Sequence, residues 1–283
     1  MKGAVQRWLV ANVAGVALTV AAGGAGAVDV TDADRVFVNY TRETATVGAK
    51  QFRLEVRGLV QEAETSNPDL NVIGLPMRSL YPGQHATKVD GGHIDLVGSY
   101  GFGKNAELGF VIPGVFQTLR FKDAATRNDA DIGDVLLYTK FKREVAEHCA
   151  VGAGVEFSIP TGPASKGFST GELAANPILS TRYQQGAVAV GANVGYQLST
   201  GSVKDVLNYG GEVIVRVNDT YAIRTEIAGR SFDDGSRGVA DVTVLPGVDI
   251  NLAHNVALRP TGLVGLTSSA PEWGIGAGVA VTF

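Results

Sequence analysis

The sequence predicts an all-β fold, a transmembrane antiparallel up-and-down β-barrel of about twelve strands. Three observations carry that expectation. From about Thr46 to Phe283 the chain alternates apolar with polar or tiny residues at a period of two. That period belongs to a pleated strand, because a helix would space its apolar residues three and four apart. The alternating segments run about ten to fourteen residues, whereas strands of soluble sheets cluster near five or six and a tilted strand crossing a bilayer needs about nine to eleven. The connections between them alternate short and long, as the turns and loops of outer-membrane barrels do.

The segments fall at roughly 48–61, 91–102, 106–121, 131–143, 149–160 and 173–184, then at 187–199, 206–217, 220–230, 238–252, 256–267 and 272–283. Short connections lie at 103–105, 144–148, 185–186, 218–219 and 253–255, and longer ones at 62–90, 122–130, 161–172, 200–205, 231–237 and 268–271. Five short and six long connections join twelve strands, which puts both termini on the short-turn, periplasmic side. The last segment shows the alternation most plainly. Trp273, Ile275, Ala277, Val279, Val281 and Phe283 share one face, and Gly274, Gly276, Gly278, Ala280 and Thr282 share the other. Tyr100, Phe102, Phe141, Tyr183, Tyr221 and Phe283 fall beside short turns or the terminus, where an interfacial aromatic girdle is expected.

Residues 1–27 read as a cleaved signal peptide. Lys2 and Arg7 charge the start, an Ala- and Val-rich stretch follows from Trp8 to Ala22, and Ala25-Gly26-Ala27 fits an A-x-A cleavage site. The run is barely long enough for a membrane-spanning helix. Residues 28–47, with Asp29, Asp32, Asp34, Arg42 and Glu43, read as a periplasmic lead-in, too short for a plug domain. The barrel then occupies 48–283. Cys149 is the only cysteine, so no intramolecular disulfide forms and the sheet itself must hold the exported chain. A formal charge of -4 offers no basic excess for nucleic acid.

The charges alternate with the apolar positions and so share the second face. Arg53, Glu55 and Arg57 alternate with Phe52, Leu54 and Val56 in the first segment. Glu212 and Arg216 precede Arg224 and Glu226 in a second cluster, and Asp241 and Asp249 follow in the next segment. Asp95, Lys140, Glu156, Arg182 and Arg259 complete the candidate lumen-lining set, with Lys142 and Arg230 of the same phase. A mid-bilayer Lys or Arg against hydrocarbon costs about 2–4 kcal/mol, so these side chains must face a wet or mutually paired interior. A closed ion-pair lattice and a polar passage whose selectivity the charges tune are both compatible with twelve strands, between the filled eight-strand barrel and the open sixteen-strand porin.

The motif matches read plainly. Gly167-Phe168-Ser169-Thr170-Gly171 fits G-x-S-x-G but sits in a Gly/Pro/Ser loop without the strand-turn-helix elbow a nucleophile needs. Gly98 to Lys104 fits G-x-x-x-x-G-K, yet Asn105 stands where the magnesium-holding Ser or Thr belongs. His148 and His254 fall in short turns, His85 in the first long loop, and His93 beside Asp95 on the charged face, a satisfied luminal pair rather than half of a catalytic one. Asp129, Asp131 and Asp134 surround Gly133 without the bidentate Glu of an EF-hand. No catalytic, metal-binding or cofactor-binding residue is expected, and no cofactor.

Two stretches carry a family resemblance. Asp131-Ile132-Gly133-Asp134 followed by Val135 to Phe141 resembles a G-x-G-D strand start leading to Lys and an aromatic, with Ile132 where the family has Gly. Phe157-Ser158-Ile159-Pro160-Thr161-Gly162 resembles an L-P-T-G strand end. With the terminal Phe283, the chain is similar to the transporter-like proteins named after the meta-cleavage pathway of phenol degradation. The resemblance implies an outer-membrane barrel passing small aromatic or apolar compounds, and supplies no binding residues. The terminal Phe with its alternating strand also resembles the signal read by the barrel-assembly machinery. The expected function is therefore an outer-membrane channel or transporter for small molecules, not an enzyme. Its expected partners are outer-membrane lipid, the assembly machinery and a small solute, with no nucleic acid. A structural or adhesive surface barrel with a closed lumen is the alternative, ahead of an outer-membrane hydrolase.

Overall fold

A computed structural model describes residues 47–64, 86–121, 126–164, 168–169, 171–201, 205–233, 238–267 and 270–283. The expected signal peptide at 1–27, nearly all of the lead-in, His85, Gly167 and Thr170 lie outside these residues.

Thirteen strands are formed among the described residues. They are β1 (Phe52–Glu64), β2 (Ala86–Gly103), β3 (Ala106–Phe121), β4 (Arg127–Ile132), β5 (Val135–Ala146), β6 (Cys149–Ile159) and β7 (Ala174–Gln185). β8 (Val188–Ser199), β9 (Val206–Arg216), β10 (Tyr221–Asp233), β11 (Gly238–Ala253), β12 (Val256–Gly265) and β13 (Trp273–Thr282) follow. Chain neighbours pair antiparallel everywhere except between β4 and β5, and β1 pairs with β13, so the sheet closes on itself. β4 and β5 pair with the two halves of β3 and share one place in the ring. The fold is thus a closed antiparallel barrel of twelve strand positions, as the alternation predicts.

Closure removes the edges that a sheet would otherwise expose. Tight turns join the strands at one end, which we call the turn end. Gly186, with a φ of 57°, makes the β7–β8 turn, where a left-handed conformation suits glycine. Asn218 caps the β9–β10 turn, its Oδ1 accepting from the Thr220 and Tyr221 amides at 2.9 Å.

The single strand expected over 131–143 is two strands, which corrects that reading. Gly114 faces Ile132 while Val111 faces Leu136, so three steps along β3 oppose four along its partner. The extra residue is a β-bulge, which switches the inward phase from odd to even numbers. Pro113, which has no N–H, lies opposite the bulge, and its carbonyl accepts from Gly133 N at 2.8 Å. The first long loop is also shorter than expected, because β1 runs on to Glu64 and β2 begins at Ala86.

The outer face is apolar. Leu96, Leu108, Leu137, Leu179, Val194, Ile223 and Ile275 are among its exposed side chains. At the turn end Phe52 stacks on Phe283 at 6.4 Å, Phe102 meets Phe141 edge-on at 6.2 Å, and His148 meets Tyr183 at 6.0 Å. Exposed aromatics thus band the outside at that level. Most buried side chains face the barrel interior; Val256, Val279 and Val281, on the outer phase of β12 and β13, form a buried cluster of their own.

Candidate functional site: the barrel interior

The interior is built by every second side chain of each strand. β1 contributes Arg53, Glu55 and Arg57, β2 Asp95, β5 Lys140, β6 Glu156 and β7 Arg182. Glu212 and Arg216 come from β9, Arg224 and Glu226 from β10, Asp241 and Asp249 from β11, and Arg259 from β12. All are buried except Lys140 and Arg216, which are half-buried.

One side of the interior is a lattice of ion pairs. Arg57 Nε donates to Asp95 Oδ2 at 2.9 Å, directly across the β1–β2 ladder. Arg259 Nη1 donates to Glu55 Oε2 at 2.8 Å, and its Nε lies 3.7 Å from Asp249 Oδ1. Arg224 Nη1 lies 2.7 Å from Glu226 Oε1, and Arg224 Nη2 lies 3.8 Å from Asp249 Oδ1 and donates to Thr261 Oγ1 at 3.2 Å. The side chains of Arg224, Glu226, Asp249 and Arg259 are fully shielded.

Small residues make that lattice possible. β13 lies between β12 and β1, yet Arg259 reaches Glu55 across it. In register, Arg57, Gly278 and Arg259 form one row and Glu55, Ala280 and Ala257 the next. The tiny inner face of β13 is the floor over which the guanidinium passes. Gly247 serves Arg224 likewise, since a Cβ there would stand 2.9 Å from Thr261 Oγ1 and 3.3 Å from Arg224 Nη2.

A second cluster sits where β2, β3 and β5 meet. Tyr138 OH donates to Glu107 Oε1 at 3.0 Å and is 2.7 Å from Ser99 Oγ. Lys140 Nζ lies 3.6 Å from Glu107 Oε2, which also accepts from the Val47 amide at 2.7 Å. The Tyr138 ring covers Gly109, leaving no room for a Cβ. Sequence reasoning missed Glu107. Its inward-facing companions on β3 are Gly109, Val111, Pro113 and Val115, so that strand shows no charged face to read. Asn176, which donates to Glu156 Oε2 at 3.0 Å, and the buried Asn208 and Gln117 were missed for want of charge.

The two sides of the interior differ in packing. Inner positions of β10–β13 and β1–β3 are almost all buried. Along β5–β9 many are only half-buried, among them Lys140, Gly152, Gly154, Ser180, Gly191, Asn193 and Gln197. Apolar inner residues gather above the ion pairs, where Leu59, Ala228, Leu245 and Leu263 form one buried cluster. Val111, Val115 and Leu119 line the inner face of β3.

The two stretches that carry the family resemblance meet at the bulge. Thr161 Oγ1 donates to Gly133 O at 2.9 Å and accepts from Val135 N at 3.0 Å. Gly162 N donates to Asp134 Oδ1 at 3.4 Å. One threonine hydroxyl therefore bridges the gap that the bulge leaves in the strand.

The remaining motif residues take structural places. Ser169 Oγ accepts from Gly171 N at 2.9 Å within the β6–β7 loop. Gly98 to Lys104 is the end of β2 and its turn. His93 faces inward opposite Leu59 and Val115; Asp95 forms its ion pair with Arg57, and its charge also acts on His93. Asp129 pairs with Arg127, Asp131 Oδ1 accepts from Ile132 N, and Asp134 turns to Gly162. Among the described residues no three His, Cys, Asp or Glu are grouped to hold a metal ion.

No protein-family model and no curated protein sequence matches the chain. Solved structures do. An outer membrane channel from Pseudomonas putida F1 superposes with a TM-score of 0.65 at 13% identity, covering 87% of this chain and 98% of that one. The NanC porin gives 0.52 at 10% identity, over 81% and 98%, and the KdgM porin 0.50 at 12% identity, over 82% and 99%. At these identities the likeness is one of fold, and it is the fold of outer-membrane β-barrels.

Proposed function

We propose that this chain is a bacterial outer-membrane channel that passes small molecules. The observation that carries the reading is the divided interior, packed with ion pairs on one side and lined by half-buried small and polar residues on the other. A barrel that only needed to be closed would have no use for the second. The apolar outer face and the banded aromatics suit a lipid surface, and the resemblance of fold to channels and porins agrees with it. The apolar patches of Leu59, Leu245 and Leu263 and of Val111, Val115 and Leu119 border the polar wall. Together they favour solutes with an apolar or aromatic body, as the family resemblance implies.

In this reading residues 1–27 are removed on export, both termini are periplasmic, and the strand ending in Phe283 presents the chain to the barrel-assembly machinery. The charged inner residues divide between holding the wall and meeting the solute. Refolded protein in planar bilayers should conduct ions, and liposomes carrying it should swell in small solutes. A chain that folds, migrates as a heat-modifiable barrel on gels and neither conducts nor admits solute would leave the structural, closed-lumen reading in its place.

A further inference from the structure

We infer that the turn end of β3 and β5 carries a binding site for the headgroup of an anionic phospholipid, with Arg143 and Lys104 holding its phosphodiester. The inference goes beyond the channel reading: it rests on the lipid-facing outer surface and the periplasmic turn end, and not on whether the barrel conducts. Among the described residues, Arg143 is the only charged side chain on the outer phase in the turn-end half of the strands. The other charges of that phase, among them Glu62, Asp90 and Arg120, lie at the loop end, where Arg120 Nη2 donates to Asp90 Oδ2 at 2.7 Å.

Arg143 stands within the apolar surface rather than beyond it. Val151 faces it across the β5–β6 ladder and Val145 follows it on the same phase, 40% and 58% exposed. Toward the bilayer lies the exposed, edge-on pair of Phe102 and Phe141. On the other flank, Ala106 faces Phe141, and the Asn105 carbonyl accepts from Lys142 N at 2.8 Å. One further step along the ladder sets Lys104, in the turn between β2 and β3, beside Arg143. Both cations are exposed, and neither forms an ion pair or a side-chain hydrogen bond among the described residues. Glu144 is on the inner phase, its Oε1 4.0 Å from Lys142 Nζ, and Glu147 lies in the β5–β6 turn. A cation on a lipid-facing position is costly at mid-bilayer and tolerated at the interface, where its stem lies along apolar surface and its charge reaches the headgroups. A planar guanidinium takes two phosphate oxygens at once, and an ammonium beside it adds a point charge. The pair suits a net-negative headgroup, because a zwitterionic one would bring its own ammonium against two cations.

Bromine-labelled lipids read the site directly. In a Trp8→Phe, Trp273→Phe background, Phe141→Trp supplies the sole indole, on the same phase as Arg143. The full-length chain is refolded into phosphatidylcholine vesicles holding a small fraction of brominated phosphatidylglycerol or brominated phosphatidylcholine, and quenching of the indole gives the relative affinity of the two headgroups. One cation near an anionic surface is worth about a fivefold preference, screened by salt, so phosphatidylglycerol should be favoured about fivefold or more at low salt. Arg143→Gln with Lys104→Gln should bring the ratio near unity, and Arg143→Lys should keep most of it. Lys142→Gln, which removes a charge at the same level from the inner face, should leave it unchanged. In a chain that migrates as a heat-modifiable barrel, a ratio near unity in the parent, an undiminished ratio in the double variant, or an equal fall in Lys142→Gln would overturn the inference. A chain that does not enter the vesicles, its indole quenched by neither lipid, overturns the lipid-facing reading of the outer surface, and the site with it.

Discussion

Arg259→Gln removes the guanidinium that joins the two ends of the chain. The side chain is fully shielded and sits 2.8 Å from Glu55 and 3.7 Å from Asp249. Unit charges about 4 Å apart at an effective dielectric near 20 attract by about 4 kcal/mol. Deleting one member of a buried pair costs about 3–5 kcal/mol, because the survivor keeps its desolvation without compensation. Asp249 keeps Arg224 at 3.8 Å, so the loss falls mainly on Glu55. The expected destabilisation is therefore in the range of about 3–5 kcal/mol. Urea titration of the refolded chain in vesicles measures it, read by the fluorescence of Trp273 and by heat-modifiable migration. Adding Glu55→Gln should recover at least about 1 kcal/mol, the non-additivity expected of contacting residues. A loss below about 1 kcal/mol, the value of a solvent-exposed pair, would refute the lattice as a stabilising device.

Leu179→Arg should destabilise by about 2–4 kcal/mol if that exposed outer position lies near the bilayer midplane, whereas Ser180→Arg, one residue on, should fold. Comparing their refolding yields into vesicles checks the alternation of β7. Tyr138→Phe should lose about 1.5–3 kcal/mol, the worth of a hydrogen bond to a charged group such as Glu107, by the same titration. Thr161→Ala should cost about 1–2 kcal/mol for its two backbone hydrogen bonds and speed hydrogen exchange at the Val135 amide, with Thr161→Ser restoring both.

Legibility in the sequence followed the chemistry of each face. β10 and β13 could be read because one face is mainly apolar and the other charged or tiny. Tyr221, Ile223 and Ile227 leave no doubt about where Arg224 and Glu226 point. β3 could not be read this way, since Val111, Val115 and Leu119 are apolar on its inner face and Leu108 and Ile112 on its outer one. Glu107 was lost there. The bulge between β4 and β5 was hidden for a different reason. A single inserted residue leaves the apolar count unchanged and shows only as a phase change between Asp131 and Leu136, visible once β3 supplies the register. Partner choice was the least legible layer. The pairing of Arg259 with Glu55 spans 204 residues, and nothing local foretells it.

The side-chain-poor inner face of β13 bears on how the barrel comes together. This strand is the seam, for it alone joins the last stretch of chain to the first. Gly274, Gly276, Gly278 and Ala280 carry no inner groups that must find partners as the seam shuts, so docking meets little steric resistance. The guanidinium of β12 then swings over it to the carboxylate of β1, a contact possible only when the ring is complete. Contacts of such long sequence separation form late, after the chain has met the entropy cost of closing the loop. The ion pair therefore works as a latch on the finished circle: it gives nothing to the assembling sheet and holds the seam once it has shut.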